Sequence, residues 1–126
     1  MEKNQYSICT DVLRRLNRER ILERIVLIGS WCILFYKDYF KLDEYAPSLR
    51  TRDIDFLIPL PAKFDHRVDL FELVKDLGFV EDFRRPDGYI RLMHPELILE
   101  FIVPERGRRK DKPYNFPELG INAQPL

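Results

Sequence analysis

The sequence predicts an α+β (α/β) fold, a sheet with its helices to one side, and three observations predict it. Apolar residues recur at helical spacing around Ile8–Leu16 and Val68–Leu77. Strand-length apolar runs stand at Ile25–Ile28, Ile54–Ile58, Phe79–Phe83, Tyr89–Met93 and Leu97–Val103. Glycine and proline punctuate the joins, at Gly29, Pro59, Pro61, Gly78, Gly88, Pro95 and Pro104. The resulting order is helix, strand, helix, strand, helix, then three strands, which is a layered sheet-and-helix pattern.

Each element has its own warrant. Tyr6 to about Arg20 reads as a helix whose apolar face is Ile8, Val12, Leu13 and Leu16. Arg24–Ile28 reads as a short buried strand ended by Gly29-Ser30. Trp31–Phe40, apolar and aromatic, reads as a helix with Ser30 at its N-cap, and Lys41–Leu49 as a polar connection. Thr51–Ile58 alternates strictly, with Ile54, Phe56 and Ile58 on one face and Asp53, Asp55 and Leu57 on the other. Asp65 is placed to cap the next helix, and Gly78 to stop it. Arg84–Gly88 makes a hairpin turn and His94-Pro95-Glu96 a second turn. From Glu105 the chain turns charged and then proline-containing, with no clear periodicity.

Composition narrows the class. With 126 residues, 45% of them apolar and 33% charged, the chain suits one globular domain rather than a disordered segment. Twenty-one basic residues balance 21 acidic ones, so affinity for nucleic acid or membrane has to come from local patches. The apolar runs fall far short of the roughly twenty residues of a membrane span, and Met1–Gln5 has no signal-peptide core. Cys9 and Cys32 make no disulfide framework, which favours a reducing cytoplasm. His66 and His94 lack the cysteine partners of a structural zinc site.

Three features carry chemistry. Asp53 and Asp55 share a strand face about 6.6 Å apart, close enough to converge on a cation and to raise each other's pKa without one. Taken alone, an Asp-x-Asp pair is as well read as a solvated strand face. Glu100 is the single charge in the run Leu97–Val103, and a lone buried carboxylate costs several kcal/mol unless paired or metal-bound. Its bland alternative is an ion pair with Arg52 or Arg91. Gly29-Ser30 joins a strand to a helix start, where free N–H groups suit a phosphate, although many strand–turn–helix joins use the same pair as a plain cap.

In combination these features resemble the nucleotidyltransferase superfamily whose best-known member is DNA polymerase beta. The matching residues are Ile28-Gly29-Ser30-Trp31, then Asp53-Ile54-Asp55-Phe56, then Leu99-Glu100-Phe101. Arg50–Phe56 looks most like the bacterial branch that includes abortive-infection, toxin–antitoxin-type nucleotidyltransferases. The likeness spans about residues 20–105 and departs from the family in two places. An insertion near Lys41–Leu49 lengthens the path from Ser30 to Asp53, and the third acid is Glu where Asp is usual.

The resemblance implies a polymerase-beta-like fold, a mixed sheet with helices packed mainly on one face, and a catalytic core over residues 1–104. It implies that Asp53, Asp55 and Glu100 hold Mg²⁺ or Mn²⁺ and act in catalysis, while Gly29 and Ser30 hold the phosphates of an NTP. The reaction implied is transfer of a nucleoside monophosphate to a hydroxyl of RNA, protein or a small molecule, with pyrophosphate released. Glu100 could also take the acceptor proton. A non-catalytic nucleotide-binding or protein-interaction module of the same fold is the alternative. Residues 105–126 form a basic, proline-containing tail, read as leading into a further domain. The oligomeric state has no signature in the sequence.

Lesser candidates are weaker. Arg106, Arg108, Arg109, Lys110 and Lys112 form a basic run that could meet RNA or polyphosphate, but Glu105 and Asp111 dilute it. Trp31, Phe35, Tyr36 and Tyr39 read as helix packing, Cys32 as a small core residue, and His94 as a turn residue. A nuclease of the Asp…Glu-x-Lys type fails because Phe101-Ile102 follows Glu100. An Asp-x-Asp glycosyltransferase needs a much larger chain.

Overall fold

The structure is a computed structural model, and it describes residues 5–29, 31, 52–84, 89–104 and 114–125. The fold is α+β. Helix α1 (Gln5–Arg18) and a 3-10 turn (Leu22–Arg24) lead into strand β1 (Val26–Ile28), and strand β2 (Asp53–Leu57) follows. Helix α2 (Leu70–Val74) runs on into a 3-10 turn (Lys75–Leu77), then strands β3 (Val80–Arg84), β4 (Tyr89–His94) and β5 (Leu97–Val103). Strands β6 (Tyr114–Phe116) and β7 (Ile121–Pro125) complete the set.

The sheet is mixed, in the order β1-β2-β5-β4-β3, with β7 pairing with β5 and β6. β2 and β5 run parallel, which two strands can do only if a long connection carries the chain back. Here that connection holds α2 and the β3–β4 hairpin. Inward-facing Ile54, Phe56, Leu99 and Phe101 are at most 1% exposed, and the Phe56 and Phe101 rings stack with centroids 5.4 Å apart. Ile8, Cys9, Val12 and Leu16 of α1 and Leu70 and Val74 of α2 join the same core. The two described helices therefore cover that face, and period-two geometry leaves Asp53, Asp55 and Glu100 on the other. Burial pushes the Cys9 thiol up to about 12, so it acts as a small apolar side chain. Among the described residues no helix is long and apolar enough to cross a membrane.

Several expectations meet the structure directly. The first helix and the strands at 53–57, 80–84, 89–94 and 97–103 lie where the patterning puts them. Gly78 closes the α2 segment with φ +106°. β1 is shorter than expected and is not buried: it is an edge strand, with Val26 46% exposed. Its first turn is drawn instead into the 3-10 segment Leu22–Arg24. Trp31 is helical and buried, but the helix expected to run on to Phe40 lies outside the described residues, as do Cys32 and the basic run at 106–112.

Two expectations need correction. The cap of α2 is Asp69, whose carboxylate accepts the Glu72 N–H at 3.1 Å, and Asp65 instead pairs with Arg20 and Arg24. The reason is tertiary. Val68 N–H bonds Glu118 O at 2.7 Å and Leu70 N–H bonds Leu119 O at 3.0 Å, holding residues 68–69 extended where a longer helix would need them coiled. The segment after Pro104 also carries structure that periodicity did not show. β6 and β7 form a hairpin, and β7 pairs parallel to β5 at Ile102 and Val103.

Asp69→Ala should lower the unfolding free energy by about 1 kcal/mol, the usual worth of an N-cap side chain. Asp65→Ala, which removes only partly exposed ion pairs, should lower it by less. Urea melts of the two variants check the assignment, and a larger loss at Asp65 would reverse it.

Candidate metal centre

The candidate site grows from the register of the two central strands. Asp53 stands opposite Ile98 and Asp55 opposite Glu100, so Asp55 and Glu100 emerge side by side on the face away from the helices. Asp53 lies two residues along the same face, exposed, while Asp55 and Glu100 are half-buried. Beyond Asp55 the antiparallel partner is Ile28 on β1. Gly29 follows it with φ +87°, and a Cβ built there would lie 3.4 Å from Asp55 Oδ2. The gap is large enough for a methyl group, so it is the left-handed backbone that calls for glycine at the lip of the acid pair.

The structure thus sets Asp55, Glu100 and Gly29 side by side, with Asp53 two residues along the same face. Ser30, the second residue expected to hold phosphate, lies outside the described residues.

Electrostatics link the acids. The Asp55 pKa is raised, first by burial and also by the charge of Asp53. That of Glu100 is raised by burial first, then by its hydrogen bond with Asp55 and the charges of Asp53 and Asp55. Burial and the neighbouring acids thus favour a proton on the pair, whose two carboxyls a hydrogen bond joins. Arg91 opposes this at Glu100, its Nη1 reaching Oε1 at 3.5 Å.

Of the two arginines named as partners for Glu100, only Arg91 reaches it. Arg52 donates from Nη2 to the His94 carbonyl at 3.1 Å, on the far turn. His94, expected as a turn residue, instead ends strand β4, and its Nδ1 accepts the N–H of Glu96 in the turn that follows.

The donor set is all carboxylate oxygen, which suits Mg²⁺ or Mn²⁺ and not zinc. Asp55 and Glu100 share a half-buried patch of negative charge in which Arg91 reaches Glu100, and a divalent cation would supply the remaining counter-charge. As the side chains stand, no three His, Cys, Asp or Glu among the described residues are gathered tightly enough to hold a metal ion. Ligation by three acids therefore needs the Asp55–Glu100 hydrogen bond to open and Asp53 to turn inward.

Sequence reasoning missed Asp82. It donates nothing to the acid cluster itself but binds Arg91, and in the sequence it is one charge among several on a hairpin.

Asp55 and Glu100 both hold their protons more tightly in the fold than in the unfolded chain. Folding then takes up protons, and stability falls as pH rises from the ordinary carboxylate range through the raised values. Glu100→Gln or Asp55→Asn should flatten that fall from the ordinary carboxylate range upward and should melt at or above the wild-type temperature at neutral pH. Thermal melts across that range check it, and a steeper decline in either variant would contradict it.

Compared with known proteins, the chain matches no family model, no curated protein and no solved structure.

Proposed function

We propose that the chain is the metal- and phosphate-binding core of a nucleotidyltransferase that moves a nucleoside monophosphate from an NTP to a hydroxyl acceptor. The observation that carries this reading is the pairing of Asp55 with Glu100 on adjacent parallel strands, with Asp53 on the same face and Gly29 beside Asp55. The aspartates and Glu100 come from two separate stretches of sequence, and the β2–β5 register sets Asp55 beside Glu100.

Asp53, Asp55 and Glu100 would hold Mg²⁺ or Mn²⁺, which when bound neutralises phosphate charge and lowers the pKa of a coordinated hydroxyl. The chain's own residues do the rest. The Gly29 turn lets a phosphate approach the backbone beside Asp55 with no side chain in the way. Glu100, whose pKa is raised by burial and by the neighbouring acids, is the group that would exchange a proton with the acceptor. Arg91 touches Glu100 through a single contact of 3.5 Å to Oε1, at the outer limit of a hydrogen bond.

A second reading has an observation of its own. Asp55 and Glu100 already satisfy each other, and Arg91 sits on Glu100. That arrangement supports a module of the same fold that binds a nucleotide, or a protein, without turnover.

Incubating the protein with each α-labelled NTP, Mg²⁺ or Mn²⁺ and a cell lysate separates the two. Transfer should label RNA, protein or a small molecule and release pyrophosphate, and Asp53→Asn or Asp55→Asn should cut it by about a hundredfold or more. Saturable binding of Mg²⁺-ATP with no pyrophosphate released would select the second reading. Full transfer by either aspartate variant would remove both residues from the mechanism.

A further inference from the structure

The row of side chains that contains Asp55 and Glu100 does not stop at Glu100. The β3–β4 register sets Asp82 opposite Arg91, and the β4–β5 register, carried one residue past Leu92 and Leu99, sets Arg91 beside Glu100. Asp82, Arg91, Glu100 and Asp55 therefore cross four strands in one line.

Arg91 is shared unequally along that line. Its Nε and Nη2 donate to Asp82 Oδ2 at 3.1 and 2.8 Å, while Nη1 reaches Glu100 Oε1 only at 3.5 Å. The two short contacts are charge-assisted hydrogen bonds of full strength, and the third lies at the outer limit. The Arg91 side chain is 15% exposed, Asp82 32% and Glu100 23%, so water screens these contacts less than on an open surface.

A guanidinium does not lose its charge, so whatever Asp82 does not hold is offered to Glu100. A cation bound tightly to Glu100 competes with a divalent ion for the same carboxylate. On the metal-site reading above, which this inference rests on, the strength of the Asp82–Arg91 contact sets how much of Glu100 is free to ligate. We propose that Asp82 is a positioning residue that controls the divalent-cation affinity of the acid cluster at one remove, by holding Arg91 back from Glu100. It touches no ligand itself.

Mn²⁺ titration of the full chain, followed by electron paramagnetic resonance, tests this in wild type, Asp82→Asn, Arg91→Met and the double variant. Asp82→Asn should weaken Mn²⁺ binding by about five- to tenfold, because the released guanidinium closes on Glu100. Arg91→Met should bind at least as tightly as wild type, and adding Asp82→Asn to it should change nothing further. An unchanged affinity in Asp82→Asn, or the same weakening with and without Arg91, overturns the proposal. Absence of Mn²⁺ binding in every version overturns the metal reading itself, and the proposed control with it.

A metal-free arm reads the relay directly. In EDTA at neutral pH, Glu100→Gln should leave the melting temperature unchanged or higher in the wild-type background but lower it in the Asp82→Asn background, since the Arg91–Glu100 contact it removes has tightened there. Equal shifts in the two backgrounds would show that Asp82 does not act through Arg91.

Discussion

The parallel pairing of β2 with β5, in the register that sets Asp55 against Glu100, is the constraint on which the rest of the structure depends. A slip of one residue would turn every side chain of one strand over, sending the acid of that strand into the core and its apolar residues to the opposite face. What prevents the slip is the buried side of the same two strands. Ile54, Phe56, Leu99 and Phe101 each gain about 1.5–3 kcal/mol from burial, and all four would be misplaced. The repulsion between Asp55 and Glu100, which their raised pKa values reflect, does not outweigh that burial. Hydrophobic register thus wins over electrostatic discomfort, and the acids stay together because their neighbours hold them there.

Charge along the exposed row is balanced at one end and not at the other. Asp82 and Arg91 form a near-neutral pair. Glu100 receives a weaker contact from the same arginine, and among the described residues no cation pairs with Asp55. Among the described residues the row therefore ends, towards β1, on an acid without a cation, beside the left-handed Gly29 turn. An ion-pair ladder serving stability alone would place cations between acids at each step. This row stops one step short.

The parts legible in the sequence were those governed by local period. Strict alternation in 53–57 exposes the Asp-x-Asp face at once, and a single charge in Leu97–Val103 singles out Glu100, because neither inference needs to know the strand order. The parts that stayed hidden depend on partners distant in sequence. Asp65 and Asp69 both precede the apolar run of α2, and only the hydrogen bonds to residues 118 and 119 decide that Asp69 is the cap. β7 contains Asn122, Gln124 and Pro125, which weaken any strand signal, yet it pairs with β5 because Ile121 and Ala123 fit the buried side. Arg91 was one of two arginines that could have met Glu100. The choice fell to it through the β4–β5 register, while Arg52 was taken by the turn at His94.

The distribution of strain points in the same direction as the geometry. Local choices that agree with the fold are the rule, and the places where they disagree tend to be functional. In this chain the core face of β2 and β5 agrees at every level, in propensity, alternation and burial. The disagreement is confined to the opposite face, where two half-buried carboxylates hold raised pKa values against each other and against Asp53. A hydrophobic or amide side chain at position 55 or 100 would satisfy the sheet equally well and remove the repulsion. Acids placed where the fold does not need them, beside a turn that offers bare backbone, support the proposed cation site. Arg91 accounts for Glu100 as an ion-pair partner, but it leaves Asp55 unexplained, and Asp55 is the residue nearest Gly29.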